Sequence, residues 1–590
     1  MTKCTAATWM TVERRLHALF TTKPLLSPSL LSLSLSAMET TYRTQPKEPN
    51  GRTRIASLSE DLLRNILCRL PAPSYACATC ACRSWRHICN SVLLSRPKLL
   101  SSLSLNPNLQ AAVEEASEKV LSEPIRPHFV IAFVGRKFSL DAAHQFVRAK
   151  FSTKIPVITC LARGIIGKDA LSNEFKEVQW NPVIVNAVEN GEVYNSLENR
   201  ARGIVLVVGF LPGLKVNAIP LRRVIQGTYR GPAVESFLDD IKTYTASVSD
   251  CTSPMGIVMF ADHDSAMGVV LEKMDFALGG ETVVVGDESG CFVFSTCNED
   301  GSRIEGGSKE LSTSLPSALQ RSQSKQTKGD ASESNIFDAV ALVFAKDRDK
   351  PHGIGEIHLD LALSTGLSTV GSTYKAASVR VTKDETPERC TWLTARREGS
   401  PQSLDGQSLL SDLDGQMGDD NPGGDCYIGV VKQRKLSKAG KGKLVSSFVF
   451  HEVISGDEEY LFVGGEGIRT GDPFRFYIPS VKTALKSITE VTEELQVLKN
   501  REPAQVFGGL IFSCCGRGRS FFEDPNVDSS AFLENFPDAP LAGMFCMGEI
   551  GRRPWAARKR IGELNPTNAC LHAYSTVFLV MSFAPEPLQL

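Results

Sequence analysis

Pro71 forces the first structural decision in this chain. The sequence around it, SLSEDLLRNILCRLPAPSYACATCACRSWRHICN over 57–90, places Leu58, Leu62, Leu63, Ile66, Leu67 and Leu70 at helical spacing. A proline has no backbone N–H and its ring clashes with the preceding turn, so this helix must stop at Leu70 and restart beyond it. Trp85 then falls in a second helix that is both apolar and basic. A helical unit of about forty residues buries too little apolar surface to stand alone, so its leucines are best satisfied by a partner. The segment reads as a docking module rather than as a place for chemistry.

The order of residues in this stretch resembles an F-box. The resemblance is carried by Leu58, Glu60, Asp61, Ile66, Leu67, Leu70, Pro71, Cys82, Arg83 and Trp85. Ser59 stands where the family usually has proline, and its hydroxyl can cap the helix instead. The resemblance implies that Leu58, Leu62, Leu63, Ile66, Leu67, Leu70, Pro71 and Trp85 bind the Skp1 adaptor, and through it the cullin scaffold of a ubiquitin ligase.

At 590 residues the chain is too long for one core, and three or four folded units are expected. Its 65 basic and 66 acidic residues nearly cancel, so no global field recruits nucleic acid or a membrane surface, and any partner is chosen by a local surface. The 16 cysteines are scattered without a small-domain framework, which favours reduced thiols in the cytoplasm or nucleus. No apolar run reaches the roughly 20 residues of a membrane span. Residues 1–53 read as a disordered leader. An organelle transit peptide, or a start at Met38 rather than Met1, are the alternatives for its first part.

Beyond the docking module, 98–126 read as a helical connector, with Leu109, Ala112, Val113 and Ala116 on one stripe. Strand-length apolar runs at 129–134, 155–161, 203–210, 255–260 and 282–285 alternate with helical or loop segments, which is α/β texture. Two stretches, 298–335 and 383–425, are crowded with Ser, Gly, Asp, Lys and Pro, a composition expected to remain disordered. Short strands follow near 428, 447 and 460. A helix over 480–499 places Val481, Leu485, Ile488, Val491, Leu495 and Leu498 on one face.

Three late motifs stand apart. GGLIFSCCGRG (508–518) and PLAGMFCMGEIG (540–551) each run an apolar strand into a glycine-bearing turn, and HAYSTVFLV (572–580) is a terminal strand. In this order they resemble the C-terminal half of a FIST domain at Phe512, Cys514, Gly516, Arg517, Gly518, Gly548, Glu549, Ile550, Gly551, His572 and Thr576. Residues 128–290 resemble the N-terminal half more weakly. The resemblance implies a sensory module that takes small ligands such as amino acids. In physical terms, two glycine corners can bring backbone N–H groups and Arg517 to a carboxylate while Glu549 holds an amine. The alternative is an Arg517–Glu549 ion pair that only locks the turns together. The candidate ligand or client site is therefore Cys514, Gly516, Arg517, Gly518, Gly548, Glu549 and Gly551.

Cys514 and Cys515, beside Arg517 and Arg519, are weighed as reactive thiols and expected to be inert. Cys77, Cys80, Cys82 and Cys89 lack two separated ligand pairs and are read as core thiols, so no metal and no cofactor is expected. GGEGIRTG (464–471) lacks the lysine ending of a phosphate loop and reads as a hairpin turn.

The expected protein is α/β with mixed sheets. An all-helical F-box at 54–97 is followed by a two-half FIST domain, 127–297 and 336–590. The expected function is the non-catalytic substrate-recognition subunit of a Skp1, cullin and F-box ubiquitin ligase, with an unidentified protein client or small-molecule ligand. An intracellular small-molecule sensor without a ligase role is the alternative.

Overall fold

The computed structural model describes residues 58–94, 96–180, 201–223, 231–262, 267–278, 281–288, 290–297, 301–308, 336–381, 390–417, 424–436, 443–552 and 570–586. The chain forms two compact units. One runs to Arg96 and takes in Leu121–Arg126, and the other comprises Pro97–Val120 and Pro127–Leu590. The expected leader, 1–53, lies outside the described residues.

In the first unit, helix α1 (Glu60–Leu67) starts at Ser59, whose hydroxyl accepts the Leu62 N–H at 3.4 Å, with Glu60 and Asp61 in the first turn. Pro71 is the N-cap of α2 (Ala72–Ala81), and α3 (Arg83–Leu94) follows after Cys82 leaves the helix in an extended conformation. Leu63, Leu67, Leu70, Ala72, Tyr75, Ala78, Ile88, Cys89 and Leu93 are buried, and the Tyr75 hydroxyl donates to the Cys89 carbonyl at 2.6 Å. Cys77, Cys80 and Cys82 are exposed, which corrects their reading as core thiols. Helix α2 turns Ala72, Tyr75 and Ala78 inward, so Cys77 and Cys80 fall on its outer face.

The second unit builds one type of sheet three times. Repeat I contains β1 (Lys98–Ser104), α4 (Leu109–Val120), β2 (Phe129–Gly135), α5 (Leu140–Ala149) and β3 (Val157–Ala162). A hairpin of β4 (Gly164–Lys168) and β5 (Phe175–Gln179) and a return strand β6 (Ile204–Phe210) complete it. Repeat II runs in the same order through β7 (Leu214–Arg222), α6 (Gly231–Val248), β8 (Gly256–Ala261), α7 (Met267–Ala277), β9 (Val283–Asp287), β10 (Phe292–Cys297), β11 (Arg303–Gly307) and β12 (Phe337–Lys346). Repeat III opens with β13 (Glu356–Thr365) and carries an insertion over 367–479 before it resumes.

The insertion contains β14 (Leu367–Val381), β15 (Cys390–Arg397), β16 (Ser403–Leu404), α8 (Gly406–Met417), β17 (Tyr427–Leu436), β18 (Lys443–Gly456), β19 (Leu461–Gly464) and β20 (Pro473–Pro479). Repeat III continues with α9 (Val481–Lys499), β21 (Gln505–Cys514), α10 (Arg519–Phe522), α11 (Val527–Asn535), β22 (Leu541–Cys546), β23 (Glu549–Arg552), β24 (Leu571–His572) and β25 (Ser575–Ala584).

The sheets have the orders β1-β6-β2-β3-β10-β11, β7-β12-β8-β9-β23-β24 and β13-β25-β21-β22-β4-β5. In each, the central pair (β2/β3, β8/β9, β21/β22) is parallel, joined by a helical crossover, and so buried that its strands are largely apolar. The other pairings in these sheets are antiparallel. The hairpin of each repeat is lent to another repeat's sheet: I to III, II to I and III to II. The repeats are thus interlocked in a ring. The unit is built of three repeats, and the expected helical connector is the first strand and helix of repeat I.

The inner faces of the three sheets share one core. At its centre Phe133, Phe260 and Phe512, one from each repeat, form a triangle with ring centroids 6.1, 6.2 and 6.1 Å apart. Each stands opposite a valine of the antiparallel neighbour, Val205, Val340 and Val577. Helices cover the outer faces of the sheets of repeats II and III. On α9 the buried residues include Ala484, Ile488, Val491 and Leu495, whereas Val481 and Leu485 of the expected stripe are exposed.

The insertion is a closed antiparallel barrel, β14-β20-β17-β18-β19-β15, sealed by pairing of β15 with β14. Inside it Tyr374 stacks on Phe474, and Phe476 meets both rings edge to face. Two of its strands and α8 fall within 383–425, which was expected to be disordered. Few apolar residues suffice there because they fall at the right period: Leu393 and Ala395 alternate inward on β15, and Leu409 and Leu413 lie one helical turn apart on α8. Likewise 303–307, inside the first expected insertion, form β11, while 309–335 lie outside the described residues.

Candidate functional site

On the helical unit, the eight predicted docking residues divide into two sets. Leu63, Leu67 and Leu70 are buried and hold the helices together. Leu62 (42% exposed) and Pro71 are exposed, and Leu58, Ile66 and Trp85 are half-buried. Leu62 and Ile66 are four residues apart on α1 and are neighbours on its surface, while Leu63 and Leu67 are buried. An apolar ridge remains at the surface after the unit's own interior has been satisfied.

In the α/β unit the threefold repetition supplies an internal reference. Beside each central phenylalanine, the register places a residue of the parallel neighbour and then one of the lent hairpin. These are Cys160 and Phe292 next to Phe133, Met544 and Ile165 next to Phe512, and Asp287 and Glu549 next to Phe260. Two of the three corners are apolar or carry a single buried thiol. The third brings two buried carboxyls together across the β9/β23 pair. Two residues further toward the strand ends, repeat III adds the register pair Cys514 and Cys546. Because β23 follows β22 after a short turn, these thiols and carboxyls are neighbours: the Cys546 thiol lies 3.7 Å from Glu549 Oε1.

Glu549 is fully buried, and its Oε2 accepts from the Ser575 N–H (3.2 Å) and hydroxyl (2.8 Å). Burial, with the Cys514 thiol beside it, pushes its carboxyl well above the usual range. Gly548 turns the corner at φ +92°, and a Cβ there would stand 2.8 Å from the Glu288 carboxylate. Gly551 lies close to Val577 and His572.

Arg517 is also fully buried, but its carboxylate partner is Asp528, not Glu549. Arg517 Nε donates to Asp528 Oδ1 at 2.9 Å, Nη1 to the Tyr574 carbonyl at 3.0 Å and Nη2 to the Ser364 hydroxyl at 3.2 Å. Asp528 additionally accepts from Ser513 and Thr576. The guanidinium thus ties β21, α11, β13 and the start of β25 together. The glycines of its turn are matched to protein neighbours: a Cβ on Gly516 would meet the Tyr574 ring at 2.8 Å, and one on Gly518 (φ +78°) would meet Gln179 Oε1 at 2.7 Å. Gln179, from the hairpin lent by repeat I, donates to the carbonyls of Cys515 and Arg517.

The structure therefore brings Cys514, Glu549 and Gly548 to one corner, and uses Arg517, Gly516 and Gly518 to build the adjoining joint. Asp287, Cys546 and Asp528 were missed by sequence reasoning. They come from strands and a helix whose neighbourhood is set by the lent hairpins, and no local motif marks them.

The chain thus combines a helical unit with an α/β unit that carries a barrel insertion. Family models agree with both parts: an F-box domain over residues 55–96 and a FIST C domain over 430–552. An F-box/LRR-repeat protein of Arabidopsis thaliana is 37% identical over 533 residues, covering 90% of this chain and 94% of that protein. Uncharacterized proteins of Mycobacterium tuberculosis and Mycobacterium bovis are 30% identical over 125 and 135 residues, 21% and 23% of this chain and 31% and 33% of theirs. The chain belongs to the F-box proteins that carry a FIST C domain. Its F-box supports the general role of such proteins, that of substrate receptors in Skp1, cullin and F-box ubiquitin ligases.

Proposed function

We propose that the protein binds Skp1 through the ridge formed by Leu58, Leu62, Ile66, Pro71 and Trp85, and that the α/β unit selects the protein to be ubiquitinated. The observation that carries this reading is the division of the F-box residues: one set makes the interior and the other is left at the surface. Covering Leu62 and Ile66 removes apolar area from water, worth about 25 cal/mol per Å². The chain itself performs no transfer. It raises the effective concentration of a client lysine near a ubiquitin-charged enzyme held elsewhere on the cullin scaffold. Such a complex would work in the cytoplasm or nucleus, where the thiols stay reduced. A small ligand at the Asp287 and Glu549 corner would modulate client choice.

Among the described residues no helix is long and apolar enough to cross a membrane. Co-expression with Skp1 tests the reading. Wild-type protein should co-purify, whereas Leu62→Asp and Ile66→Asp should not, with both variants keeping the wild-type melting temperature. Failure of the wild type to capture Skp1 would remove the proposal.

A further inference from the structure

One hairpin of the barrel is longer than the barrel itself. β20 pairs with β17 over Tyr427–Val430, and β19 pairs with β18 over Val453–Gly456. β17 and β18 nevertheless stay paired with each other as far as Leu436 and Lys443. Val431 and Phe448, packed with Leu367 and Tyr477, form the root of this extension. Five register pairs, from Lys432 and Ser447 to Leu436 and Lys443, continue beyond the root as a two-stranded ribbon, about 17 Å long. Among the described residues no third strand joins the sheet here, which leaves two open strand edges.

The sequence 431–450 contains six basic residues, Lys432, Arg434, Lys435, Lys438, Lys441 and Lys443, and neither Asp nor Glu, in a chain whose net charge is −1. The rest of the chain therefore carries −7 (−1 − 6). Lysine on an open edge is a common device against unwanted pairing. The register here does more, because each of the four cations it places stands opposite a neutral residue: Lys432 opposite Ser447, Arg434 opposite Val445, Lys435 opposite Leu444 and Lys443 opposite Leu436. Positive charge thus accumulates without the penalty of like charges facing each other across the strands. By the alternation of a strand, positions 432, 434 and 443 share one face of the ribbon.

We propose that the ribbon is the client-docking arm of the α/β unit, and that its partner is an extended acidic protein segment added to β17 as a third strand. This rests on the reading that the α/β unit selects a protein, and not on Skp1 binding. Backbone hydrogen bonds along the open edge hold the segment, while alternate side chains of the segment lie beside positions 432 and 434. The client therefore carries Asp or Glu at every second position over about five residues, the reach of the ribbon. Leu436, Leu444 and Val445 stand among the cations, which suits a peptide with apolar residues between its carboxylates better than a sugar-phosphate backbone. The negative remainder of the chain also disfavours a long polyanion, whose charge reaches well past one short ribbon.

The test titrates the full chain into a fluorescein-labelled peptide of alternating Glu and Val, about eight residues long, and reads anisotropy. Wild-type protein should bind it saturably, and more weakly as sodium chloride rises from about 0.05 to 0.5 M. It should not bind the same peptide with Lys in place of Glu. Arg434→Glu combined with Lys443→Glu should lose at least about tenfold in affinity. Arg434→Gln combined with Lys443→Gln removes the charges without reversing them and should show a smaller loss. Both variants should keep the wild-type melting temperature. Amide hydrogen exchange over 432–436 should slow when the peptide is bound. Leu62→Asp should bind the peptide as the wild type does, which separates this result from Skp1 docking. Equal affinity in the wild type and both folded ribbon variants would overturn the proposal and leave client selection to another surface of the α/β unit. Tighter binding of a DNA oligonucleotide than of the acidic peptide, or no binding of the peptide by the wild type, would contradict it as well.

Discussion

Asp528 Oδ1 lies 2.8 Å from Arg517 Nη2, and neither side chain is exposed to solvent. Asp528 sits in the first turn of α11 and Arg517 in the turn after β21, so the pair fixes the crossover of repeat III to its own strand. Removing one partner strands a buried charge. Arg517→Met or Asp528→Asn should lower the unfolding free energy by about 3–5 kcal/mol in urea titration. A change below about 1 kcal/mol in both would mean the network is solvated and not the staple described above.

The phenylalanine triangle predicts cooperative failure. Phe260→Ala deletes one ring of a contact shared by three repeats and should cost about 3–5 kcal/mol. Hydrogen exchange should accelerate in strands β2 and β21 as well as in β8. An effect confined to repeat II would show that the repeats fold independently. Val497→Ala, at a residue 69% exposed on α9, should stay within about 0.5 kcal/mol.

His451 gives the barrel an acid limit. Its Nδ1–H donates to the Gly464 carbonyl at 2.8 Å, and Nε2 is buried without a hydrogen-bond partner among the described residues. Burial first, then the Lys432 ammonium, lowers its pKa from 6.5 to about 3. The unfolded chain takes up the proton near pH 6.5 and the folded chain only near 3, so stability present above 6.5 is lost progressively as the pH falls across that window. Each unit of pKa difference is worth about 1.4 kcal/mol. A His451→Leu variant should therefore show a shallower acid loss in unfolding free energy. Parallel pH profiles for variant and wild type would contradict this.

What the sequence discloses depends on the range of the interactions involved. The F-box helices are legible because Pro71, the Ser59 cap and the leucine spacing all act within a few residues. The parallel strands are legible because burial on both faces leaves runs such as FVIAFVG. The threefold plan is hidden because the barrel interrupts repeat III between β13 and α9, so no constant period survives. The corner at Asp287 and Glu549 is hidden for a second reason. Its residues are 262 positions apart (549 − 287), and only a lent hairpin pairs them. The Arg517–Glu549 pairing failed on the same ground, since Asp528 is placed by α11 and its hydroxyl partners, none of which the turn motif records.

The direct test of the central claim is calorimetric titration of purified Skp1 into the full chain and into two F-box variants. The account predicts saturable binding by the wild type, and a loss of at least about tenfold in affinity, 1.4 kcal/mol, for Leu62→Asp with its melting temperature unchanged. Leu63→Ala should lower the melting temperature first, because that side chain is buried. Wild-type affinity in a folded Leu62→Asp protein would contradict the account.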